Sequence, residues 1–551
     1  MLLSNVTLQG KLIDLAEARD HDDANVVTIL MGNNGSGKSR LFQTICSTFI
    51  QAPRQNMMGH YLRDVVNFSN LEELDSLSYF KDGELHSLSR FKEPFLRRYR
   101  MGNEGQVIEL VSVYPYKEAI KYRVNNVDDA IAIDYMIPHF LKEAEEHSKH
   151  LNLKRNGVDS TVLNGPSKVL AVTGSPYDKF PFRDTYSSQD SLAPYIYFGT
   201  REKRQAGARF NRGYLRYKFD QLGASFIKLL LKPRQEYFDF SKMFDFLGIS
   251  HSFTLKLSLS ERIRKDEINQ DGILDVVRSI QFFKDKNYSE ISEEKERALL
   301  SKRLVDAMDY VVGEKLDEHE SHFNPLEILC EINLGNENKD KELLSSLALL
   351  SEYDLVELDD VVFTKSRADQ DFLLSQASSG ELSLLFTMSS IAGEIENGSL
   401  ILIDEPELSL HPEWQLNFLS LLTDIFSNYK GCHFIIATHS PNIISSIPDN
   451  NAYIVSLDMD EATLMPSKMY HNRSADFQLA SVFNAPGNNN EYLLSQVIEV
   501  LDSLCKSNEF DDDSLVRAKW LLSFESKLED GDKVKVLLGI LKQTMEALST
   551  R

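Results

Sequence analysis

The stretch at residues 32–39, GNNGSGKS, constrains the fold of this 551-residue chain more than any other. It matches the pattern G-x-x-x-x-G-K-[ST] in full. The run before it, Val26–Met31, is almost entirely apolar and predicts a buried strand. After it, apolar residues recur at helical spacing: Leu41, Phe42, Ile45, Cys46 and Phe49. The pattern therefore predicts a loop between a strand and a helix N-terminus, which is a place that favours anions.

The residue types in this loop are those that hold a nucleotide phosphate. Glycines let consecutive backbone N–H groups face one point, Lys38 would reach the β and γ phosphates, and the Ser39 hydroxyl would ligate Mg²⁺. We therefore predict a bound nucleotide and Mg²⁺ at this loop. The predicted nucleotide-binding residues of the loop are Gly32, Asn33, Asn34, Gly35, Ser36, Gly37, Lys38 and Ser39.

A second stretch, residues 376–440, supplies groups that could act on a phosphate held by the loop. It opens with a Ser-Ser-Gly-Glu turn that leads into a predicted helix. Ser378 or Ser379 would cap this helix, and Gly380 would allow the backbone to approach a ligand closely. Taken alone, the turn looks like any Ser-capped helix start. Its position shortly before an apolar strand that ends in two carboxylates makes the turn a specific signal of a ligand site.

That strand is predicted at residues 400–403 and ends in Asp404 and Glu405, where open α/β sheets bind their ligands. Asp404, together with Ser39, would hold Mg²⁺, and Glu405 would orient and deprotonate the attacking water. A further predicted strand, residues 432–438, is followed by His439, which could donate a hydrogen bond to the γ-phosphate. A lone histidine there is more often a core residue, so its assignment depends on its neighbours. Glu405 and His439 are the predicted catalytic residues.

Composition restricts the classes of function. A net charge of -23 argues against a protein that coats nucleic acid through bulk charge, although a local basic patch could still bind it. The four cysteines form no CxxC pair and are typical of reduced thiols. No apolar run approaches the ~18 residues needed to cross a bilayer. The first residues do not resemble a signal peptide, so the expectation is a cytoplasmic protein without membrane contact.

Residues 201–218, REKRQAGARFNRGYLRYK, form the one strongly basic and aromatic stretch of the acidic chain. Interleaved arginines and tyrosines can hold phosphates and stack on bases. The same composition also suits a solvated loop that enters a helix, with its arginines paired to carboxylates. Both interpretations stay open, and nucleic acid contact through 201–218 is a candidate.

Five motifs in this order, GNNGSGKS, SSGE, LILIDEP, ELSLHP and ATHSP, resemble those of ABC-type ATPases of the RecF/SMC branch. They correspond to the Walker A loop, signature, Walker B, D-loop and H-loop of that family. The resemblance implies two heads packed head to tail, so that Ser379 and Gly380 act in trans on ATP bound at Lys38 of the other copy. The glutamine of the family's Q-loop is not placed: Gln51 is one candidate, and the loop at residues 175–180 could replace it.

The implied fold class is α/β: an ABC-type ATPase head, with a mixed sheet around a P-loop core, an antiparallel layer, helical insertions and a helical C-terminal region. The predicted boundaries are 1–60 for the first part of the core, 61–220 for the remaining core sheet with an insertion and the basic stretch, 221–365 for a mainly helical insertion, 366–465 for the second part of the core, and 466–551 for a helical region that docks a partner.

Within that branch, two features resemble the PtuA-type ATPase subunits of Septu and retron-associated anti-phage systems. They are SPYDKF followed by YIYFGTR, and a compact tail that contains FNAPG. The resemblance implies an ATPase that forms a homodimer or a higher oligomer and regulates an HNH nuclease subunit. In retrons, a reverse transcriptase and its DNA–RNA hybrid are further partners.

Two alternatives come from the same branch. A RecF-like repair ATPase would load on DNA ends without a dedicated nuclease partner. An OLD-like enzyme would cut nucleic acid itself through a Toprim domain, and the DMD sequence from Asp458 to Asp460 imitates one of its metal motifs. That sequence follows a predicted β-hairpin strand, and the residues after it are predicted to be helical. We therefore expect no intrinsic nuclease.

Overall fold

The structure is a computed structural model of the chain. It describes residues 1–17, 24–33, 35–56, 74–90, 95–101, 106–112, 119–122, 137–143, 151–159, 164–181, 194–199, 201, 214–259, 294–315, 327–334, 341–353, 355–458, 462–507 and 512–549.

Four sheets account for the strands in this part of the chain. The strands are β1 Leu2–Leu8, β2 Lys11–Asp14, β3 Val26–Met31, β4 Leu74–Lys81, β5 Glu84–Arg90, β6 Phe95–Met101, β7 Gln106–Ser112, β8 Ala119–Tyr122, β9 Leu151–Arg155, β10 Val158–Asp159, β11 Val169–Thr173, β12 Tyr195–Phe198, β13 Ile249–Leu259, β14 Glu327–Asn333, β15 Val356–Lys365, β16 Gln370–Leu373, β17 Leu400–Asp404, β18 His433–Ala437, β19 Ala452–Ser456 and β20 Thr463–Pro466.

Helices flank these sheets and form the C-terminal region. They are α1 Lys38–Asn56, α2 Tyr214–Leu231, α3 Arg234–Leu247, α4 Glu294–Lys315, α5 Lys341–Glu352, α6 Ser379–Glu394, α7 Pro412–Ile425, α8 Pro441–Ser445, α9 Ala475–Ser481, α10 Glu491–Ser507, α11 Asp512–Leu522 and α12 Lys533–Ser549.

The central sheet has the strand order β12-β11-β17-β18-β3-β19-β20. All neighbours in it are parallel except the last pair, β19 and β20, which form an antiparallel hairpin. Strands β3, β11, β17 and β18 are buried along their whole length, as expected for parallel strands covered on both faces. A second, antiparallel sheet has the order β10-β9-β5-β4-β1-β2.

Helix α1 lies between these two sheets. Its apolar residues Phe42, Ile45 and Phe49 share one buried cluster with Leu77 of the antiparallel sheet and Leu402 of the central sheet. The two layers are also joined by His433, which accepts a hydrogen bond from the backbone N–H of Leu3. This mixed sheet with its P-loop strand and antiparallel layer confirms the predicted fold class.

The region predicted as a mainly helical insertion also contains long strands. In this region β13, β14 and β15 pair antiparallel, and β16 completes their sheet. The alternation of Phe253, Leu255, Leu257 and Leu259 is a strand signal that the helical interpretation overlooked. Helices α2–α5 accompany this sheet, and its core is continuous with that of the central sheet. The domain boundaries themselves stay a prediction.

The C-terminal helices have a hydrophobic core of their own. Leu493, Val497 and Val500 of α10 pack with residues of α11 and α12. Aromatic contacts connect this core to α9, since the ring centroids of Phe477 in α9 and Tyr492 in α10 are 4.9 Å apart. No helix among the described residues is long and apolar enough to span a bilayer.

Candidate nucleotide site

The carboxyl ends of three parallel strands bring the predicted site residues to one edge of the central sheet. Asp404, the last residue of β17, lies opposite Ala437 of β18, and Ala437 lies opposite Leu30 of β3. The chain therefore leaves these strands side by side. It continues into the phosphate-binding loop after β3, into Glu405 after β17, and into Thr438 and His439 after β18.

The backbone of the phosphate-binding loop requires glycine. Gly32, Gly35 and Gly37 have φ values of 154°, 88° and 100°. A Cβ on Gly32 would lie 2.5 Å from Ser36 Oγ, so a side chain would not fit without a shift of the loop. Ser36 Oγ is itself buried and has no hydrogen-bond partner among the described residues. Asn34, also predicted to bind nucleotide, lies outside the described residues.

Lys38, the first residue of α1, is buried and turned back toward the loop. Its Nζ donates to the carbonyl oxygen of Gly32 at 2.6 Å and to that of Asn33 at 3.4 Å. Burial lowers the pKa of Lys38, and the nearby carboxylates, Asp404 first among them, oppose this effect. The amino group is thus held inside the loop by bonds to the loop's own backbone carbonyls.

Asp404 is 2 % exposed, and its Oδ1 has no hydrogen-bond partner among the described residues. Burial, and next the charge of Glu405, raise the pKa of Asp404 to about 7, while a hydrogen bond from Ser39 partly opposes the rise. A buried, unpaired carboxylate oxygen beside a second carboxylate and a serine hydroxyl suits a hard divalent cation. The predicted metal ligands Asp404 and Ser39 therefore fit Mg²⁺.

Glu405 follows in a backbone conformation that is unusual for its residue type. Its φ is 51°, and its N–H donates to the carbonyl oxygen of Ala437 at 2.9 Å. A non-glycine residue in this region costs of order 1–3 kcal/mol and often marks a functional site. The turn ends the strand just after Asp404 and leaves the Glu405 side chain half-buried beside it.

His439 is held by Glu407, which sequence analysis did not single out. Glu407 accepts the backbone N–H of His439 at 2.6 Å and the hydroxyl of Thr438 at 2.8 Å. Burial raises the pKa of Glu407. Burial, and next the charge of Lys38, lower the pKa of His439, which favours its neutral imidazole. One carboxylate thus fixes the loop after β18 to the loop after β17.

The signature turn caps its helix through Ser378. The hydroxyl of Ser378 accepts the N–H of Glu381 at 3.2 Å, and the Glu381 carboxylate accepts the N–H of Ser378 at 2.8 Å. Ser379 is exposed at the start of α6. A Cβ on Gly380 would lie 2.8 Å from the carbonyl oxygen of Ser409, so the close approach at Gly380 is to the chain's own D-loop. Among the described contacts, none joins this turn to the phosphate-binding loop.

Two further carboxylates near the site were missed as site residues. Asp458, which follows β19, accepts the backbone N–H of Asn33 at 2.6 Å. Asp178, in the loop after β11, accepts the Tyr197 hydroxyl at 2.8 Å and pairs with Arg201. Both come after a strand of the central sheet, which the sequence could show, but their contacts follow only from the way the strands are arranged. Asp460 of the DMD sequence lies outside the described residues.

The basic stretch 201–218 is described only in part, and residues 202–213 lie outside the described residues. Arg201 is bonded to Asp178, and Lys218 is buried with its Nζ 4.8 Å from the centre of the Phe386 ring. These two cations make contacts within the chain, as the structural interpretation of the stretch expects. The Q-loop candidate Gln51 lies in α1, and its side chain is outside the described residues.

Comparison with known families finds a match for residues 253–445 to a family described as "AAA domain, putative AbiEii toxin, Type IV TA system". The match covers less than half of the chain and begins after the phosphate-binding loop. It includes the signature turn, Asp404, Glu405 and His439.

Three curated proteins are similar to parts of the chain. Protein ea59 of Escherichia phage lambda is 35% identical over 132 residues, which are 22% of this chain and 24% of that protein. The Retron Vc95 probable ATPase of Vibrio cholerae is 28% identical over 214 residues, 34% of this chain and 40% of that protein. The Retron Ec83 probable ATPase of Escherichia coli is 30% identical over 107 residues, 17% of this chain and 19% of that protein. The chain thus matches less than half of each relative's length.

Solved structures similar to the chain include heads of SMC proteins. The SMC head domain from Thermotoga maritima is 13% identical, with a TM-score of 0.25, over 85% of this chain and 99% of that chain. The Smc head domain from Pyrococcus furiosus, bound to the C-terminal domain of ScpA, is 12% identical, with a TM-score of 0.26, over 84% of this chain and 96% of that chain.

Proposed function

We propose that this chain binds ATP with Mg²⁺ and hydrolyses it. The observation that carries the proposal is the meeting of three loop ends at one edge of the central sheet. Register places Asp404, Ala437 and Leu30 in line, and the loop with Lys38 follows Leu30 directly. A phosphate-binding loop, a buried carboxylate, a second carboxylate and a histidine at one sheet edge form the set that phosphoryl transfer to water uses.

Each residue has a role that follows from its chemistry. The backbone N–H groups of the loop and Lys38 bind the phosphates, with Lys38 turning from the Gly32 carbonyl toward them. Glu405 orients the attacking water and accepts its proton. His439, neutral at pH 7 because burial lowers its pKa, donates a hydrogen bond to the γ-phosphate. Glu407 fixes the backbone from which His439 projects.

Asp404 and Ser39 would hold the metal. Mg²⁺ bound there supplies charge neutralisation for the phosphates and for the two adjacent carboxylates. Burial favours the protonated form of Asp404, and a cation held there would favour the charged carboxylate instead. The proposal accounts for Oδ1 of Asp404, which has no hydrogen-bond partner in the part of the chain that the structure describes, as a ligand position.

We propose further that two copies assemble head to tail around ATP, with Ser379 and Gly380 facing nucleotide held by the other copy. Two observations support this. Ser379 is exposed at the N-terminus of α6, an end that attracts anions. The described contacts of the signature turn, residues 378–381, are with the D-loop, with Trp414 of α7 and with Lys365 of β15, and none is with the phosphate-binding loop. Within one copy, the described contacts therefore do not bring the turn to a phosphate held by the loop.

The biological role we propose is regulation of a separate effector nuclease in anti-phage defence. Support comes from the partial similarity to two retron ATPases and from the Septu-like sequence features. An HNH nuclease subunit is the proposed partner, with a reverse transcriptase and its DNA–RNA hybrid as further components. The C-terminal helices α9–α12, which have their own core, are the proposed docking surface.

The ATPase proposal is tested with three variants of the purified chain. Lys38→Ala should abolish binding of a fluorescent ATP analogue. Glu405→Gln should keep binding and slow phosphate release by about 100-fold or more, because it removes the general base. Glu413→Gln, at an exposed position in the first turn of α7, is the matched control and should behave as the native chain. Normal hydrolysis by Glu405→Gln would show that another group is the base.

The partner proposal is tested by recovering the tagged chain from its native host, followed by mass spectrometry and nucleic-acid analysis. Recovery of a small HNH nuclease, with or without a reverse transcriptase and its hybrid, is expected. A truncated chain that ends before α9 should lose the nuclease and keep ATP binding. Recovery of recombination proteins alone would instead favour the RecF-like alternative.

A further inference from the structure

Asp458 is placed beside the phosphate-binding loop by strand register. Strand β19 runs parallel to β3, with Ser456 opposite Met31. The pairing continues one residue further, because the N–H of Leu457 donates to the carbonyl oxygen of Met31 at 3.0 Å. Lys11 in turn donates to the carbonyl oxygen of Leu457 at 2.9 Å. The chain after β19 therefore follows the chain after β3, and Asp458 comes to lie next to Gly32 and Asn33.

The peptide group between Gly32 and Asn33 is held at both of its polar atoms. Its N–H donates to Asp458 Oδ1 at 2.6 Å, and its carbonyl oxygen accepts Lys38 Nζ at 2.6 Å. A Cβ on Gly32 would lie 3.1 Å from the same Asp458 oxygen, so the carboxylate fits closely against the glycine.

The Lys38 anchor is the one that ATP would weaken, if Lys38 acts as proposed. The ammonium group has three N–H donors, and two of them bond to the Gly32 and Asn33 carbonyls, so contact with both the β and γ phosphates would take at least one of these donors. The Asp458 bond involves the other end of the peptide group, so it does not compete with the phosphates for Lys38. It is the anchor that can persist in both states.

We propose that Asp458 is a positioning residue that fixes the Gly32–Asn33 peptide, so that the loop is ordered before and after Lys38 turns to the triphosphate. This inference depends on the proposed ATP-binding function. Asp458 acts as a hydrogen-bond acceptor, and its negative charge is not needed, because a negative charge near the phosphates repels them. An asparagine in its place should therefore preserve the role.

The test compares Asp458→Ala, Asp458→Asn and a control, Asp449→Ala, whose exposed side chain lies before β19, at the other end of that strand. Hydrogen exchange at the backbone amides of residues 30–40 is measured without nucleotide, and ATP affinity and turnover are measured separately. Asp458→Ala should exchange faster in this segment and bind ATP about tenfold more weakly, with kcat little changed. Asp458→Asn and Asp449→Ala should match the native chain or, for Asp458→Asn, bind more tightly.

Native exchange and native affinity in Asp458→Ala would overturn the proposal. Equal losses in Asp458→Ala and Asp458→Asn would also overturn it, because the charge would then be the active feature. If Asp458→Ala did not fold, Asp458→Ser, whose short side chain cannot reach Asn33, would replace it. Lys38→Ala distinguishes failure of the proposed function from failure of the Asp458 proposal. If Lys38→Ala still bound ATP, the proposed ATP-binding function would fail. Hydrogen exchange at residues 30–40 would still show whether Asp458 fixes the loop.

Discussion

At the scale of single residues, Asp404 makes the site sensitive to pH in the absence of metal. Its pKa in the folded chain is about 7, against an ordinary value of 3.8, chiefly because the side chain is buried. Between about pH 4 and pH 7 the folded state keeps a proton that the unfolded state has released. The stability of the metal-free protein therefore falls as pH rises through this window, by up to about 4 kcal/mol from this group.

Asp404→Asn should remove that loss. In EDTA, we expect the variant to have nearly the native Tm at pH 4 and a higher Tm than the native chain at pH 8, measured by differential scanning fluorimetry. Asp449→Asn, at an exposed position, serves as the control and should leave the Tm difference constant with pH. An equal Tm difference between Asp404→Asn and the native chain at both pH values would contradict the raised pKa of Asp404.

The residues of the site differ in how far sequence could predict them. Lys38, Ser39, Asp404, Glu405 and His439 were all named from motifs, because their spacing to apolar strands is local information. Their roles stay predictions until they are tested. Glu407 and Asp458 needed strand register, since Asp458 and Asn33 are 425 positions apart in the chain. Hydrogen bonds across that distance leave no local pattern.

At the scale of elements, Glu407 connects the turns that follow β17 and β18. Glu407→Ala would leave the Thr438 hydroxyl and the His439 N–H without their acceptor. A donor left unsatisfied in a buried position costs about 1–3 kcal/mol. We expect kcat for ATP hydrolysis to fall more than ATP affinity, because His439 is displaced while the loop with Lys38 is untouched. Steady-state kinetics and nucleotide titration would measure the two effects, with Glu413→Ala as control. An equal loss of affinity would contradict this division of roles.

Gly380 connects α6 to the D-loop and α7. A Cβ at this position would lie 2.8 Å from the Ser409 carbonyl oxygen and 3.2 Å from the Trp414 ring, so Gly380→Ala must push the signature turn away from the D-loop. We expect a lower Tm and reduced ATPase activity with native ATP affinity. Gly539→Ala is the matched control in α12, since nothing lies within 4 Å of its Cβ position. There alanine should be neutral or stabilising by up to about 1 kcal/mol. A native Tm and native activity in Gly380→Ala would show that the contact is dispensable.

The helices and strands were predicted best where the apolar pattern of the sequence matches the burial of the residues in the structure. Strand β3 was predicted with its observed bounds, and the strands at β17 and β18 were predicted to within one residue at each end. Each is a continuous apolar run next to a motif, so both its type and its ends can be read from the sequence. Strand β13 was missed, although its apolar residues alternate. It lies between α3 and α4, and the helical pattern of these neighbours dominated the interpretation. Strand β13 pairs with β15, which comes about a hundred residues later, and a pairing over that distance cannot be inferred from a short stretch of sequence.

At the scale of the whole molecule, the phosphate-binding loop and the signature turn, which we propose as the two halves of a nucleotide site, lie against different elements of the chain. The phosphate-binding loop lies at the carboxyl edge of the central sheet, and the signature turn begins α6 and packs on the D-loop. A head-to-tail dimer would complete two equivalent sites, each with Lys38 from one copy and Ser379 from the other. This arrangement makes a prediction that no single-copy mechanism shares.

Two inactive variants should restore activity when mixed. Lys38→Ala removes nucleotide binding, and Ser379→Arg blocks the signature at an exposed position where the larger side chain is tolerated in the monomer. Each variant alone should be inactive. A mixed dimer pairs the native Lys38 of one copy with the native Ser379 of the other, so it contains one complete site. Random mixing in equal amounts should therefore recover roughly a quarter of native ATPase activity. A doubly substituted chain mixed with Lys38→Ala, which cannot form a complete site, is the control. Absence of recovery, in mixtures shown by mass measurement to contain mixed dimers, would mean that the signature acts within its own chain or has no part in hydrolysis.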